Sequence, residues 1–101
     1  MEKKLVHVIR KNDAKNECFL IVVKGWIIGN GMAVHQDPAM PSQWNVVDIG
    51  SGATVVTADS FHDAMAKYYR IEGKCKEARK HPLYHDVLTI RRSITKVVKI
   101  T

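Results

Sequence analysis

The most apolar stretch of the chain runs from Cys18 to Ile28 and is interrupted only by Lys24 and Gly25. Its β-branched and aromatic residues are typical of a strand that is buried on both faces, or buried and paired. We predict a central strand over residues 17–28. A glycine inside such a strand indicates a bulge or a close approach of another backbone, so Gly25 is expected to be one or the other.

Two hairpins are predicted around this central strand. Residues 4–11 form a predicted strand whose successive side chains lie on opposite faces. The Asn- and Asp-containing turn at 12–16 joins this strand to the central strand. Residues 43–49 alternate again, and after the compact turn at 50–52 the chain returns as a partner strand at 53–57.

The longest predicted loop covers residues 35–42 and contains Pro38 and Pro41, which cannot donate to a strand ladder. Binding residues often lie on loops of this kind. We therefore include Asp37 in the loop, and Trp44 at the start of the second hairpin, among the candidate partner-binding residues.

One long amphipathic helix follows the second hairpin. Asp59 or Ser60 can cap its amino terminus, and Asp63 lies in the first turn, where a carboxylate is favourable. From Phe61 onward, apolar residues recur at helical spacing as far as Ala78, which predicts that one helix face packs on the sheet.

The carboxyl-terminal segment fits two interpretations. Residues 83–90 have an apolar spacing that suits either a helix or a strand, and the β-branched residues favour a strand from about Ser93. We predict a short helical or irregular segment, then a final strand in which residues 97–100 pair with residues 5–9. The fold class expected is α+β, with a mostly antiparallel sheet of about five strands and one main helix, in a single domain over residues 1–101.

The charge of the chain is positive and unevenly distributed. Sixteen Lys and Arg against ten Asp and Glu give +6. Both ends of the chain are basic and the middle is slightly acidic, which suits an acidic partner such as a nucleic acid or an acidic protein surface. The densest basic group lies on the predicted helix and at its end, and we take its members as candidate partner-binding residues: Lys67, Arg70, Lys74, Lys76, Arg79 and Lys80.

The sequence contains no set of residues that predicts catalysis or a cofactor. Cys75, His81 and His85 are the best candidates for metal ligands, but their spacing is not a zinc pattern and a fourth ligand is missing. Cys75 has basic neighbours that would favour a reactive thiolate, yet its helical position favours packing against the sheet. We expect neither an enzyme nor a metal protein. The two cysteines form no spacing motif, and no segment is typical of a signal peptide or a membrane span, which predicts a cytoplasmic protein.

The segments Trp44–Asp48, Gly50–Gly52 and Asp63–Ala64 resemble the hairpin-then-helix arrangement of small phage-encoded accessory proteins. The resemblance implies a compact protein that contacts a host or defence component. We therefore predict a non-catalytic protein that acts by binding another protein, as an inhibitor would. The alternative is a small basic regulator that binds nucleic acid, and self-association through an apolar sheet edge is also compatible with the sequence.

Overall fold

A computed structural model describes residues 1–99 and confirms the α+β class. Within these residues the chain forms six strands and two helices. In chain order they are β1 (Lys3–Asn12), β2 (Glu17–Gly29), β3 (Met32–Gln36), β4 (Trp44–Asp48), β5 (Thr54–Ala58), α1 (Phe61–Ala78), α2 (Pro82–Ser93) and β6 (Val97–Lys99).

The first five strands form an antiparallel meander in which each strand pairs with the next, in the order β1-β2-β3-β4-β5. Strand β3 is absent from the predicted elements, because the predicted loop begins at His35. In the structure His35 is fully buried and pairs with Asn45 of β4. The segment predicted as short helical or irregular is helical and forms α2, so the expectation of one main helix is not confirmed.

The final strand lies at a different edge from the one predicted. β6 runs parallel to β2, with Leu20 opposite Val97 and Val22 opposite Lys99. It does not pair with β1, whose partner is β2 along the whole of its length. Ile100, the last residue of the predicted strand, lies outside the described residues.

The long strand β2 belongs to both halves of the sheet. Its first half pairs with β6 and its last residues pair with β3, while β1 pairs with its other edge over residues 17–26. Gly25 lies between the two halves and is buried. A Cβ atom at Gly25 would lie 3.3 Å from the Ala33 Cβ, the Val34 carbonyl oxygen and a methyl carbon of Val6. The predicted close approach at Gly25 is confirmed.

The two faces of the sheet contribute to separate apolar clusters. We call the first the inner cluster; its buried members are Val6, Val8, Ile21, Val23, Ala33 and Val47. The second, the helix-side cluster, contains α1 residues Ala64 and Tyr68 together with strand residues Met32, Val34, Val46, Val56 and Ala58. Alternate residues of β3 and β4 enter different clusters, as expected for strands buried on both faces.

Helix α1 begins as the sequence predicts. The Ser60 hydroxyl accepts a hydrogen bond from the Asp63 amide at 3.0 Å, which satisfies one of the free donors of the first turn. At the opposite side of the sheet, the Ile9 amide donates to the Gly52 carbonyl at 2.8 Å. This bond joins β1 to the turn between β4 and β5, so the meander curls back toward its first strand.

The two tryptophans have similar environments beside α1. Trp26 and Trp44 are both partly buried, and their ring centroids lie 6.0 Å apart. Trp44 also packs edge-on against Phe61 at 5.5 Å, while the Lys3 ammonium lies 5.0 Å from the Trp26 ring centroid. Both rings therefore border the helix-side cluster.

Candidate functional site

Helix α2 places apolar side chains in contact with solvent. His81 caps its amino terminus by accepting a hydrogen bond from the Leu83 amide at 3.1 Å, and Pro82 occupies the first helical position, where its missing amide costs nothing. None of its residues, all of which lie in the described part of the chain, is buried. Leu83 is 64% exposed and Ile90 is 52% exposed. An exposed apolar stripe on a short helix indicates a contact surface.

A groove of about 610 Å³ lies between the last turns of α1 and the first turns of α2. We call it the interhelical groove. Its apolar walls come from Ala78, Leu83 and Val87, and Tyr84 contributes its ring. Its remaining lining residues are Lys74, Glu77 and His81.

A smaller cavity of about 130 Å³ lies beside this groove, on the side toward the sheet. Ala78, Tyr84 and Val87 line both spaces, so the two are adjacent. The apolar lining of this smaller cavity includes Met32, Ala53, Val55 and Cys75. Its four polar lining residues are Asp48, Ser51, Arg79 and Tyr84. A side chain that entered the groove would therefore find apolar surface at its depth.

The carboxylate of Asp48, at the end of β4, joins the elements that surround this cavity. Its Oδ2 accepts hydrogen bonds from the Ser51 hydroxyl at 2.7 Å, the Ser51 amide at 3.1 Å and the Tyr84 hydroxyl at 2.7 Å. Its Oδ1 accepts from Arg79 Nη2 at 2.7 Å and Nε at 3.2 Å. We call these residues the Asp48 network. Among the described residues, Tyr84 makes the only side-chain hydrogen bond from α2 to a residue outside the helix and its cap.

Electrostatics in the Asp48 network favour the ion pair. Burial alone would raise the pKa of Asp48, but the hydrogen bonds from Ser51, Tyr84 and Arg79 outweigh burial and hold the pKa below its ordinary value of 3.8. Burial, and then the hydrogen bond to this carboxylate, raise the pKa of Tyr84 above 10.0. The carboxylate is therefore ionised and Tyr84 is a neutral donor at neutral pH.

Arg79 differs in placement from the other basic candidates. A partner-binding residue is expected in solvent, yet the Arg79 side chain is only 29% exposed and its guanidinium is bound to Asp48. The reason is its helical position, which follows the buried face of α1 through Tyr68 and Cys75. Arg79 therefore holds the fold together at this end of α1.

The five other basic candidates on α1 and after it are exposed, but they are not equivalent. Lys76 pairs with Glu72 at 3.6 Å and Lys80 pairs with Glu77 at 3.4 Å. The remaining three form no ion pair with any residue of 1–99; Lys67 donates to the Thr57 carbonyl of β5 at 3.1 Å. We call these three the basic row: Lys67, Arg70 and Lys74.

The other two predicted candidates lie on different parts of the molecule. Asp37 organises its loop, because one carboxylate oxygen accepts from the Ala39 amide at 2.9 Å and the other from Asn45 at 3.2 Å and Arg10 at 3.3 Å. Trp44 belongs to the helix-side cluster. Within residues 1–99, neither of them shares a hydrogen bond or an ion pair with the basic row.

The candidate metal ligands have other roles. His81 is the cap of α2, and burial raises the pKa of the Cys75 thiol, which keeps it protonated. Within residues 1–99, no group of three or more His, Cys, Asp or Glu side chains is placed to hold a metal ion. Among the same residues, no helix is both long and apolar enough to cross a bilayer.

Three members of the Asp48 network, Asp48, Ser51 and Tyr84, are not among the candidates predicted from the sequence. Asp48 is an acidic residue that directly follows Val46 and Val47 at the end of a predicted strand, and Ser51 follows it by three positions, which is the spacing of a carboxylate that bonds the turn after it. The spacing of Asp48 and Ser51 could therefore have predicted their hydrogen bond from the sequence alone. The partners Arg79 and Tyr84 are far along the chain, and no local pattern links them to Asp48.

We compared the chain with protein-family models, with curated proteins and with solved structures, and none of the three comparisons gives a match.

Proposed function

We propose that this protein is a non-catalytic binding protein that holds a segment of another protein in the interhelical groove. The observation that carries the proposal is the groove itself, where the apolar wall formed by Leu83 and Val87 meets solvent beside a polar rim. Apolar grooves between helices are common sites for segments of partner proteins. A segment held there is withheld from its other contacts, which is how such a protein would inhibit.

The chemistry of the groove favours a protein over a nucleic acid. Single-stranded nucleic acids are usually held by aromatic side chains on which bases stack, beside a positive surface that follows the phosphates. Here the apolar walls come mainly from the aliphatic residues Ala78, Leu83 and Val87, and Tyr84 is held in place by the hydrogen bond from its hydroxyl to Asp48. The basic row supplies three charges, which is few for a phosphate backbone.

The proposal can be tested by selecting a displayed peptide library on the immobilised protein. Leu83→Asp is the test variant, because Leu83 is 64% exposed and its replacement places a charge on the groove wall without opening the core. Ile90→Asp is the matched control, since it makes the same change on the same helix at a residue that does not line the groove. Selected peptides should bind the wild type and the control, and should lose binding to Leu83→Asp.

Two results would contradict this function. One is selection of peptides that bind wild type and Leu83→Asp equally well. The other is failure to select any peptide, together with duplex or single-stranded oligonucleotide binding whose affinity falls steeply with salt, at a slope of about 0.9 per duplex phosphate neutralised.

A further inference from the structure

We propose that the segment bound in the interhelical groove is an acidic linear stretch, in which one large apolar side chain enters the groove and the residues beside it carry carboxylates. This inference rests on the proposed function and specifies the chemistry of its partner. It follows from where the free positive charges lie relative to the apolar walls.

The basic row leads directly into the groove. Lys67, Arg70 and Lys74 follow one another at spacings of three and four, so they share a flank of α1, and Lys74 itself lines the groove. Their charges are available to a partner, since none of them forms an ion pair with another residue of 1–99. A ligand anchored in the groove would lie alongside three uncompensated ammonium and guanidinium groups.

The rest of the basic surface on α1 is already neutralised. Lys76 and Lys80 have acidic partners on the same helix or directly after it, and Arg79 is bound to Asp48. The side of the groove that favours a negative ligand is therefore the side of Lys74. Complementary charge of this kind fixes the direction in which a segment lies and speeds its association.

Helix geometry sets the spacing of the partner's acidic residues. From Ala78, which lines the groove, to Lys67 at the far end of the row, α1 rises by about 1.5 Å per residue, whereas an extended peptide advances by about 3.3 Å per residue. An extended segment of the partner therefore needs about half as many residues as α1 does to cover the distance from Ala78 to Lys67. We expect carboxylates roughly two to six positions from the apolar anchor, on one side of it.

The cavity beneath the groove explains why the anchor is apolar and large. Met32 and Cys75 line this cavity together with Val87, which also lines the groove, and the polar side chains around the cavity are already bonded within the Asp48 network. An apolar side chain that enters this space gains contact with apolar walls. A charged or amide side chain would lose its water there without finding a free partner.

The test uses fluorescent synthetic peptides and the full-length protein. The reference peptide has one leucine and has glutamates two to six positions from it. It is made in two versions, one with the glutamates before the leucine and one with the glutamates after it. Three peptides are compared with it: one with alanine for the leucine, one with glutamine for every glutamate, and one with the glutamates moved beyond the reach of the row. Binding is measured by polarisation at low and high salt. The reference peptide should bind at least about tenfold more tightly than each of the others at low salt, and high salt should narrow the difference from the glutamine peptide.

Protein variants locate the effect. The double variant Arg70→Glu, Lys74→Glu should weaken the reference peptide at least about tenfold and leave the glutamine peptide unaffected. Lys11→Glu, Lys15→Glu makes the same change in net charge in the β1–β2 hairpin and should have little effect. Glu77→Gln removes the acidic residue from the groove rim and should tighten the reference peptide.

The outcomes separate this inference from the proposed function. If the leucine-containing peptides bind in the groove regardless of their charge, and Leu83→Asp abolishes that binding, the proposed function holds and the acidic partner is overturned. If Leu83→Asp binds the reference peptide as wild type does, the groove is not the site and both proposals fail. If oligonucleotides bind through the basic row more tightly than the reference peptide, the inference is also overturned.

Discussion

Asp48 is the residue at which β4, the following turn and both helices are joined, because its carboxylate accepts hydrogen bonds from Ser51, Arg79 and Tyr84. Replacing it by asparagine removes the charge that Arg79 requires and turns one acceptor into a donor that faces other donors. An unsatisfied buried polar group costs about 1–3 kcal/mol, and more when it is charged. We expect Asp48→Asn to lower the free energy of unfolding by at least about 2 kcal/mol in urea denaturation.

The matched control for this prediction is Asp86→Asn, which makes the same chemical change at an exposed residue of α2. Its effect should stay within about 0.5 kcal/mol of wild type. Equal stabilities for the two variants would show that the Asp48 network does not support the fold. Arg79→Glu should also be destabilising, because it places a second carboxylate beside Asp48, in contrast to Lys74→Glu at an exposed residue.

His35 predicts a loss of stability on mild acidification. Burial lowers its pKa below the ordinary value of 6.5, against the opposing effect of the Gln36 carbonyl; the Arg10 charge lowers it further and the Asp37 charge raises it. Its Nε2 has no hydrogen-bond partner within the described residues. Below about pH 6.5 the unfolded chain therefore binds a proton that the folded protein does not, so the free energy of unfolding should fall, by up to about 1.4 kcal/mol per pH unit.

Urea denaturation at stepwise lower pH measures this effect, and His35→Gln should remove it, because the variant has no titratable group at that position. The other four histidines are exposed. The pKa values of Asp37 and Asp48 are also lowered in the folded protein. They reduce the free energy of unfolding further only below about pH 3.8, where these carboxylates take up protons in the unfolded chain. A wild-type stability that stays constant down to pH 5 would contradict the assignment to His35.

At the scale of secondary structure elements, two glycines give opposite expectations for the same substitution. A methyl group at Gly25 would meet three atoms at 3.3 Å between β1, β2 and β3, so Gly25→Ala should destabilise the protein by about 1–3 kcal/mol. Gly73 lies in α1 with nothing within 4 Å of the added carbon, so Gly73→Ala should stabilise it by about 0.5–1 kcal/mol. Thermal unfolding of both variants checks the pair. If both variants shifted the melting temperature by a similar amount in the same direction, β2 would not be tightly packed at Gly25.

The elements predictable from sequence were those whose signal is local. Residues close together in sequence determine the helical period of α1, its cap at Ser60 and the length of β2. The structure confirms all three. Strand β3 was missed because it has few residues and precedes a loop with two prolines. The partner of β6 could not be predicted, because several edges can accept a short apolar strand and the choice depends on the whole sheet.

The candidate site was harder to predict than the fold. The basic candidates could be found from composition, but their separation into free and paired groups depends on which acidic residue each one meets in space. Lys76 and Lys80 have partners within four residues, so local spacing could have identified them. Arg79 has its partner on β4, and the groove exists only because α2 turns back beside α1.

At the scale of the whole molecule, the two apolar clusters share their strands and should unfold together. Val46 faces the helix-side cluster and Val47, the next residue of β4, faces the inner cluster, so neither cluster can lose its strands alone. Trp26 and Trp44 report on the helix-side cluster, while circular dichroism reports on the backbone throughout. We expect the urea transitions measured by tryptophan fluorescence and by circular dichroism to coincide. A fluorescence change at clearly lower urea would indicate that α1 detaches from an intact sheet.

The parallel pairing of β6 with β2 has a consequence for the order in which the chain assembles. Each strand of the meander pairs with its neighbour in sequence, which requires only short loops to close, whereas β6 must return across almost the whole chain to reach Leu20. Its ladder is three residues long, and α2 before it has no buried residue, so this segment is expected to be the last to form and the first to open. Amide hydrogens of Val98 and Leu20 should then exchange with solvent sooner than those of β3. A ligand that bridges α1 and α2 would slow that exchange at a distance from its own contacts, and would protect the connection at residues 79–81 from proteases.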